Sequence, residues 1–206
     1  MRLNPGDTFS VFNSKGEWNA KIENYQKKIA NIRILKKVRD KENEKDTWLA
    51  FSPIKQNPLN FMIQKTTELG IQKFIPILSE RTVVKKINIK RIKKIIVESS
   101  EQSNRISIPT ISEIVELKFF LKNFPQNGCL VFCDINSDKN YLKNILSEKK
   151  DRPICILIGP EGDFSEKERQ LILEKKEVKS LSLAKNILRA ETAAISAISI
   201  VNFELN

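Results

Sequence analysis

Pro153-Ile-Cys-Ile-Leu-Ile-Gly-Pro-Glu-Gly-Asp-Phe-Ser-Glu-Lys-Glu168, followed by Leu183-Ala-Lys-Asn-Ile-Leu-Arg-Ala-Glu-Thr-Ala-Ala194, decides the fold. Ile154 to Ile158 is apolar at every position, the pattern of a strand covered on both faces and so of a parallel sheet. It stops at Gly159-Pro-Glu-Gly162. Ser165 and Glu168 have the spacing of a capping box, so a helix restarts just past the loop. Val178 to Leu183 then reads as a short strand, Ala184 to Asn186 as a turn, and Arg189 to Phe203 as a helix rich in small residues. Two loops at the C-terminal ends of buried strands mark where an open α/β sheet holds its ligand.

The same alternation of strand and helix reaches back to Thr47. Trp48–Phe51 predicts a strand, and Asn57-Pro58 an N-cap with proline at the first helical position. Leu59, Met62, Ile63, Thr66 and Leu69 share one helical face, and Gly70 closes the helix. Phe74–Leu78 and Cys129–Cys133 are further strands. Ile89–Ser103 is a helix with Ile92, Ile95, Ile96 and Ser99 inward. Residues 1 to 42 differ: Thr8–Phe12, Trp18–Tyr25 and Asn31–Val38 alternate as three β-strands, a module too thin to be stable without another surface. The charged run from Arg39 to Asp46 reads as a linker, which places the domains at 1–42 and 43–206.

The 206 residues carry a net charge of +11, a sign of a polyanionic partner. Between Arg81 and Lys94 stand seven basic residues and no acidic one: Arg81, Lys85, Lys86, Lys90, Arg91, Lys93 and Lys94. A solvated helix face would explain them, and so would phosphate contacts; their density beside a strand end favours phosphate. Three cysteines, Cys129, Cys133 and Cys155, sit in apolar runs without metal-ligand spacing and predict buried thiols. The chain has no histidine, which excludes a Ser-His-Asp triad and leaves a metal site few nitrogen ligands. With no membrane-length apolar run and no signal-peptide pattern, the cytoplasm is the expected location.

The two loops admit a bland reading and a chemical one. Glycines let backbone approach a ligand closely, yet Gly159–Gly162 also suits a tight turn with none. It is neither a G-x-G-x-x-G dinucleotide loop nor a P-loop. Glu191 suits a helix start, whereas Arg189 there opposes the macrodipole, so a ligand explains the pair better than capping does.

At this point the residues resemble a family. Gly-Pro-Glu-Gly-x-Phe-Ser-x-x-Glu from Gly159 and Leu-x-x-x-Ile-Leu-Arg-x-Glu-Thr-Ala from Leu183 are similar to motifs of the RsmE family of bacterial 16S ribosomal RNA (uracil-N3)-methyltransferases, in the SPOUT superfamily. Gln64–Gly70, Pro76, Glu80-Arg81 and Glu98-x-x-Glu-Gln-Ser-x-Arg105 with Pro109 extend the match over about residues 47 to 206. The resemblance implies an α/β fold: a SPOUT-type parallel sheet with a C-terminal trefoil knot, preceded by a small β-rich, PUA-like RNA-binding domain that is incomplete here. It also implies a homodimer acting on 16S rRNA of the small ribosomal subunit, and S-adenosylmethionine as methyl donor. Asp163 stands where the family has a second glycine, and Ala184 and Asn186 where it has Gly-x-Arg.

The resemblance implies donor contacts at Leu157, Gly159, Gly162, Leu181, Leu183 and Leu188, mostly through backbone groups. Arg189 would steady negative charge on the uracil carbonyls, and Glu191 or Glu161 is the candidate base beside solvent-assisted proton loss. Gln102 and Arg105, with the basic run from Arg81, are the expected RNA contacts. No metal is expected. The alternatives are another SPOUT enzyme acting on tRNA or a ribose 2′-hydroxyl, and a non-catalytic RNA-binding ribosome-assembly factor.

Overall fold

Apolar runs cannot leave their backbone groups unpaired in a core, and here they pair with one another. The structure, a computed structural model, describes residues 3–13, 15–27, 29–41, 44–138 and 152–205. The chain divides into two compact units, Met1–Asn43 with Ser100–Ile108, and Glu44–Ser99 with Pro109–Asn206.

In the first unit β1 (Thr8–Asn13), β2 (Gly16–Gln26) and β3 (Ile29–Asp40) form an antiparallel sheet in that order. The three alternating runs are these strands. Ala20 and Ile22 are buried, while β3 exposes Ile29, Ile34 and Leu35. Arg39, predicted to open the linker, lies inside β3. Its Nε donates to Glu17 Oε2 at 2.6 Å, and its Nη2 donates to Asn104 O and Oδ1 at 2.7 and 2.8 Å. That fork holds the segment around Asn104 within this unit. The expected boundary at 42/43 lies outside the described residues.

The second unit contains, in chain order, β4 (Thr47–Phe51), α1 (Gln56–Glu68), β5 (Lys73–Leu78) and α2 (Ile89–Gln102), whose last turn is grouped with the first unit. Next come β6 (Thr110–Ile111), β7 (Val115–Glu116), α3 (Leu117–Asn123), β8 (Cys129–Cys133) and β9 (Ile154–Ile158). Then follow α4 (Glu166–Leu173), β10 (Val178–Leu181) and α5 (Ala190–Leu205). The strands stand in the order β10-β8-β9-β4-β5-β6, with β7 also on β5, and every pairing is parallel. The expected parallel sheet is present.

Period-two alternation splits each apolar strand between two cores. Leu49, Phe51, Val131, Ile154, Ile156 and Ile158 face α1, α2 and α5. Ala50, Leu130, Phe132, Cys155 and Leu157 face α3 and α4. Both faces are covered, which is why these strands read as unbroken apolar runs. Asn202 Nδ2 donates to Leu69 O at 2.8 Å and fixes α5 against the end of α1.

One helix start differs from expectation. α1 begins at Gln56 with Lys55 at the N-cap and no side-chain cap bond, so Asn57 is not the cap and Pro58 is the third helical residue. Proline is tolerated there because first-turn N–H groups have no intrahelical acceptor. At the other end Gly70, at φ 98°, donates its N–H to Thr67 O and closes the helix as predicted. Elements between Thr110 and Asn123, short and weakly patterned, were not predicted.

Ile156 is fully buried at the centre of the sheet. Ile156→Ala should cost about 2–5 kcal/mol, read as a lower urea midpoint.

Candidate active site at the carboxyl edge of the sheet

In a parallel sheet all strands leave on the same edge. The segments after β4, β8, β9 and β10 therefore converge, and they bound a cleft of about 810 Å³. Ile135, Ile158, Ile187 and Leu188 give it an apolar wall, and Glu161, Asp163, Arg189, Glu191 and Lys55 bring charge to it.

The loop after β9 is tightly specified. Asp163 N donates to Pro160 O at 2.9 Å, closing a turn, and Ser165 and Glu168 form the predicted capping box on α4. Asp163 has φ 58°, and its own Oδ1 accepts from Phe164 N at 2.8 Å. Aspartate can hold this left-handed conformation by that local bond, which accounts for its presence at a position where the resembled family has glycine. Gly159 has no such freedom: a Cβ there would lie 3.0 Å from the Phe164 ring, which packs edge-on against Phe132.

Gly159, Gly162, Glu161, Leu188, Arg189 and Glu191 all line the cleft. Among the described residues no acceptor takes the amides of Gly159, Glu161, Gly162, Leu183 or Leu188. Arg189 directly precedes α5, and its carbonyl accepts from Ala193 N at 2.8 Å, so the side chain leaves the helix at its N-cap. Three other expected residues stand behind the wall. Leu157 is buried in β9 with strands on both sides, Leu181 is buried with its carbonyl accepting from Asp134 N at 3.0 Å, and Leu183 packs on the core.

The basic run lies elsewhere. Lys85, Lys86, Lys90, Arg91, Lys93 and Lys94 are exposed around the start of α2, and none has an ion-pair partner among the described residues. Asn88 caps this helix, its Oδ1 accepting from Arg91 N at 3.0 Å. Arg81 is different: its Nη1 donates to Gly162 O at 2.9 Å. Gln102 is exposed, and Arg105 Nη2 donates to Ser107 Oγ at 2.9 Å; both belong to the unit that holds the N-terminal sheet.

Sequence reasoning missed the third wall, the segment after β8. The apolar run Cys129–Cys133 was the available signal, since a parallel strand must open onto the same edge. Asp134 is 1% exposed and takes three bonds from Arg169, Nη2 to Oδ2 at 2.9 Å and Nε to Oδ2 at 3.1 Å and to Oδ1 at 3.3 Å. That bond to Asp134 raises the Arg169 pKa further. Asp134 Oδ1 also accepts from Asn136 N at 3.0 Å, so the pair fixes the chain on either side of Ile135. Burial pushes the Cys133 thiol up to about 12, so this cleft residue is not a thiolate at neutral pH.

A doubly covered parallel sheet with a ligand-sized cleft at its carboxyl edge defines a class, and sequence comparison assigns the class. A model of the RNA methyltransferase domain matches residues 41–202. Ribosomal RNA small subunit methyltransferase E of Rickettsia conorii is 34% identical over 201 residues, covering 97% of this chain and 82% of its own. The protein of that name from Bacillus subtilis is 29% identical over 217 residues, covering 99% and 84%. The crystal structure of ribosomal RNA small subunit methyltransferase E from Neisseria gonorrhoeae bound to S-adenosyl methionine superimposes with a TM-score of 0.86 at 28% identity, over 98% of this chain and 84% of that one. The chain belongs to the family of small-subunit ribosomal RNA methyltransferases E.

Asp134→Ala would leave Arg169 only its longer ion pair to Glu166, at 3.8 Å, and unpin the third wall. It should destabilise the fold by about 3 kcal/mol, measured by thermal and urea unfolding.

Proposed function

We propose that the chain methylates N3 of a uridine in 16S rRNA of the small ribosomal subunit, using S-adenosylmethionine. One observation carries the reading: the cleft joins the Gly159–Gly162 loop to the Leu188–Glu191 turn and is lined by residues whose amides have no acceptor among the described residues. The residues fit such a donor. The volume is that of a small-molecule site, the apolar wall suits an adenine ring, and amides with cleft carboxylates suit its hydroxyl and ammonium groups. When bound, the donor supplies an electrophilic methyl on a sulfonium.

The amides of Gly159, Glu161, Gly162 and Leu188 would hold the donor by backbone recognition. Leu157, Leu181 and Leu183 would shape the cleft from behind. Arg189, exposed at the N-cap and lining the cleft, would meet negative charge developing on the uracil carbonyl oxygens. The N3 proton must leave before that nitrogen is nucleophilic. Glu191 and Glu161 border the cleft and are the carboxylates placed to take it, directly or through solvent. N3 lies on the base-pairing edge, so the target uridine must be splayed out.

The exposed lysines and arginines from Lys85 to Lys94 would contact rRNA phosphates, fixing position rather than reading sequence. Gln102, Arg105 and the N-terminal sheet, read as a PUA-like module, would make RNA contacts of their own. The C-terminal segment would form a trefoil knot: β9 sits between β8 and β4, β10 lies outside β8, and α5 returns across to α1. The exposed Phe203 on the small-residue helix α5 supports a homodimer, and the absence of a long apolar helix among the described residues fits a cytoplasmic enzyme.

The test is methylation of purified 30S subunits with labelled donor, followed by mass-spectrometric mapping. A methyl on a uracil base of 16S rRNA is expected; a ribose methyl, a tRNA product or no transfer contradicts the proposal. Arg189→Ala should lower turnover by about 10²–10³-fold while calorimetry finds donor affinity within about threefold of wild type. Wild-type turnover in that variant would remove Arg189 from the chemistry.

A further inference from the structure

Arg81 has the composition of an RNA contact and the geometry of something else. Thr82 N donates to Ser79 O at 3.1 Å, and Ser79 N donates to Thr82 Oγ1 at 2.9 Å, so residues 79 to 82 form a turn locked from both ends. Glu80 and Arg81 occupy its two corners, and both reach across to the segment after β9. Glu80 N donates to Glu168 Oε1 at 2.8 Å, while Glu168 Oε2 accepts from Ser165 N at 3.0 Å. Glu168 is 7% exposed, so both oxygens of a buried carboxylate are committed to backbone N–H groups. Arg81 Nη1 donates to Gly162 O at 2.9 Å, with Phe164 O at 3.5 Å beyond it.

The consequence falls on one peptide group. The Gly162–Asp163 peptide has its carbonyl on Arg81 and its N–H on Pro160 O, so its plane is fixed at both ends. The turn it closes presents the Glu161 and Gly162 amides, which have no acceptor among the described residues. We propose that Arg81 and Glu168 are positioning residues for the methyl donor: they clasp the Pro160–Asp163 turn to the exit of β5 and hold the donor-binding amides in place. This rests on reading the cleft as the donor site. Glu80-Arg81 and Gly159–Glu168, two distant stretches of sequence, are then one device. Arg81 contributes to donor affinity and not to the phosphate surface formed by Lys85 to Lys94.

The experiment compares wild type with Arg81→Ala, Arg81→Lys and Glu168→Gln in the full chain. Donor affinity is read by calorimetry, kcat and KM for the donor on 30S subunits, and the salt dependence of 30S binding. Arg81→Ala and Glu168→Gln should each weaken donor affinity and raise its KM about tenfold, with kcat at saturating donor within about threefold. Arg81→Lys should show a smaller loss in the same direction, because an ammonium is a point donor that lacks the fork. The salt slope of RNA binding should be unchanged, whereas loss of a phosphate contact would reduce it by about one. The two substitutions remove opposite charges, so a shared phenotype excludes a simple electrostatic origin. Their double variant should cost less than the sum. If Arg81→Ala fails to fold, Arg81→Lys and Glu168→Gln carry the same readouts. Unchanged donor affinity in the folded variants, or a lowered salt slope in Arg81→Ala, overturns the proposal. Failure of wild type to bind the donor would instead strike the reading of the cleft.

Discussion

Every strand pairing in the large sheet is parallel, and the rest of the structure depends on that. Parallel strands cannot be joined by tight turns, so each connection must cross a face of the sheet. The helices that make those crossings bury both faces and force the strands to be apolar throughout. The same constraint sends the chain exits of β4, β8, β9 and β10 to one edge, where backbone has left its ladder and its amides need acceptors. A cleft bordered by such exits suits a ligand held by main chain, beside the charged side chains of Lys55, Glu161, Asp163, Arg189 and Glu191.

Much of this was legible beforehand, for a physical reason. Ile154–Ile158 and Cys129–Cys133 have no polar position, and only a doubly covered strand explains that. The Ser165–Glu168 box and Gly70 announce their helix ends because caps use few residue types. The loop Gly159–Gly162 was found because it follows such a strand, Arg189 and Glu191 because an arginine at a helix start opposes the macrodipole, and Leu188 through the family resemblance. The unread parts share the opposite property. Asn57-Pro58 misled because proline is tolerated throughout a first helical turn, and the third wall at Ile135 carries no unusual residue. Asp134 and Arg169 are ordinary on paper, and their pairing exists only once α4 lies beside the end of β8.

Charge has to be read against geometry in the same way. Seven basic residues between Arg81 and Lys94 look like one cluster, yet the structure gives them two positions. Six lie exposed around the start of α2 without ion-pair partners among the described residues, as a surface for polyanions requires. The remaining one is bonded to a carbonyl of the cleft loop. With no histidine in the chain, the catalysis we propose would fall to Arg189 and the carboxylates Glu161 and Glu191, acting on a base whose own acidity would do part of the work.

In the proposed reading, amides of the loops after β9 and β10 that have no acceptor among the described residues hold the methyl donor. Residue-resolved hydrogen exchange with and without S-adenosylmethionine reads those amides one by one. Slowed exchange at Glu161, Gly162 and Leu188, with little change at Lys90 and Arg91, is the predicted result. Donor-dependent protection confined to the start of α2, with those three amides unaffected, would contradict it.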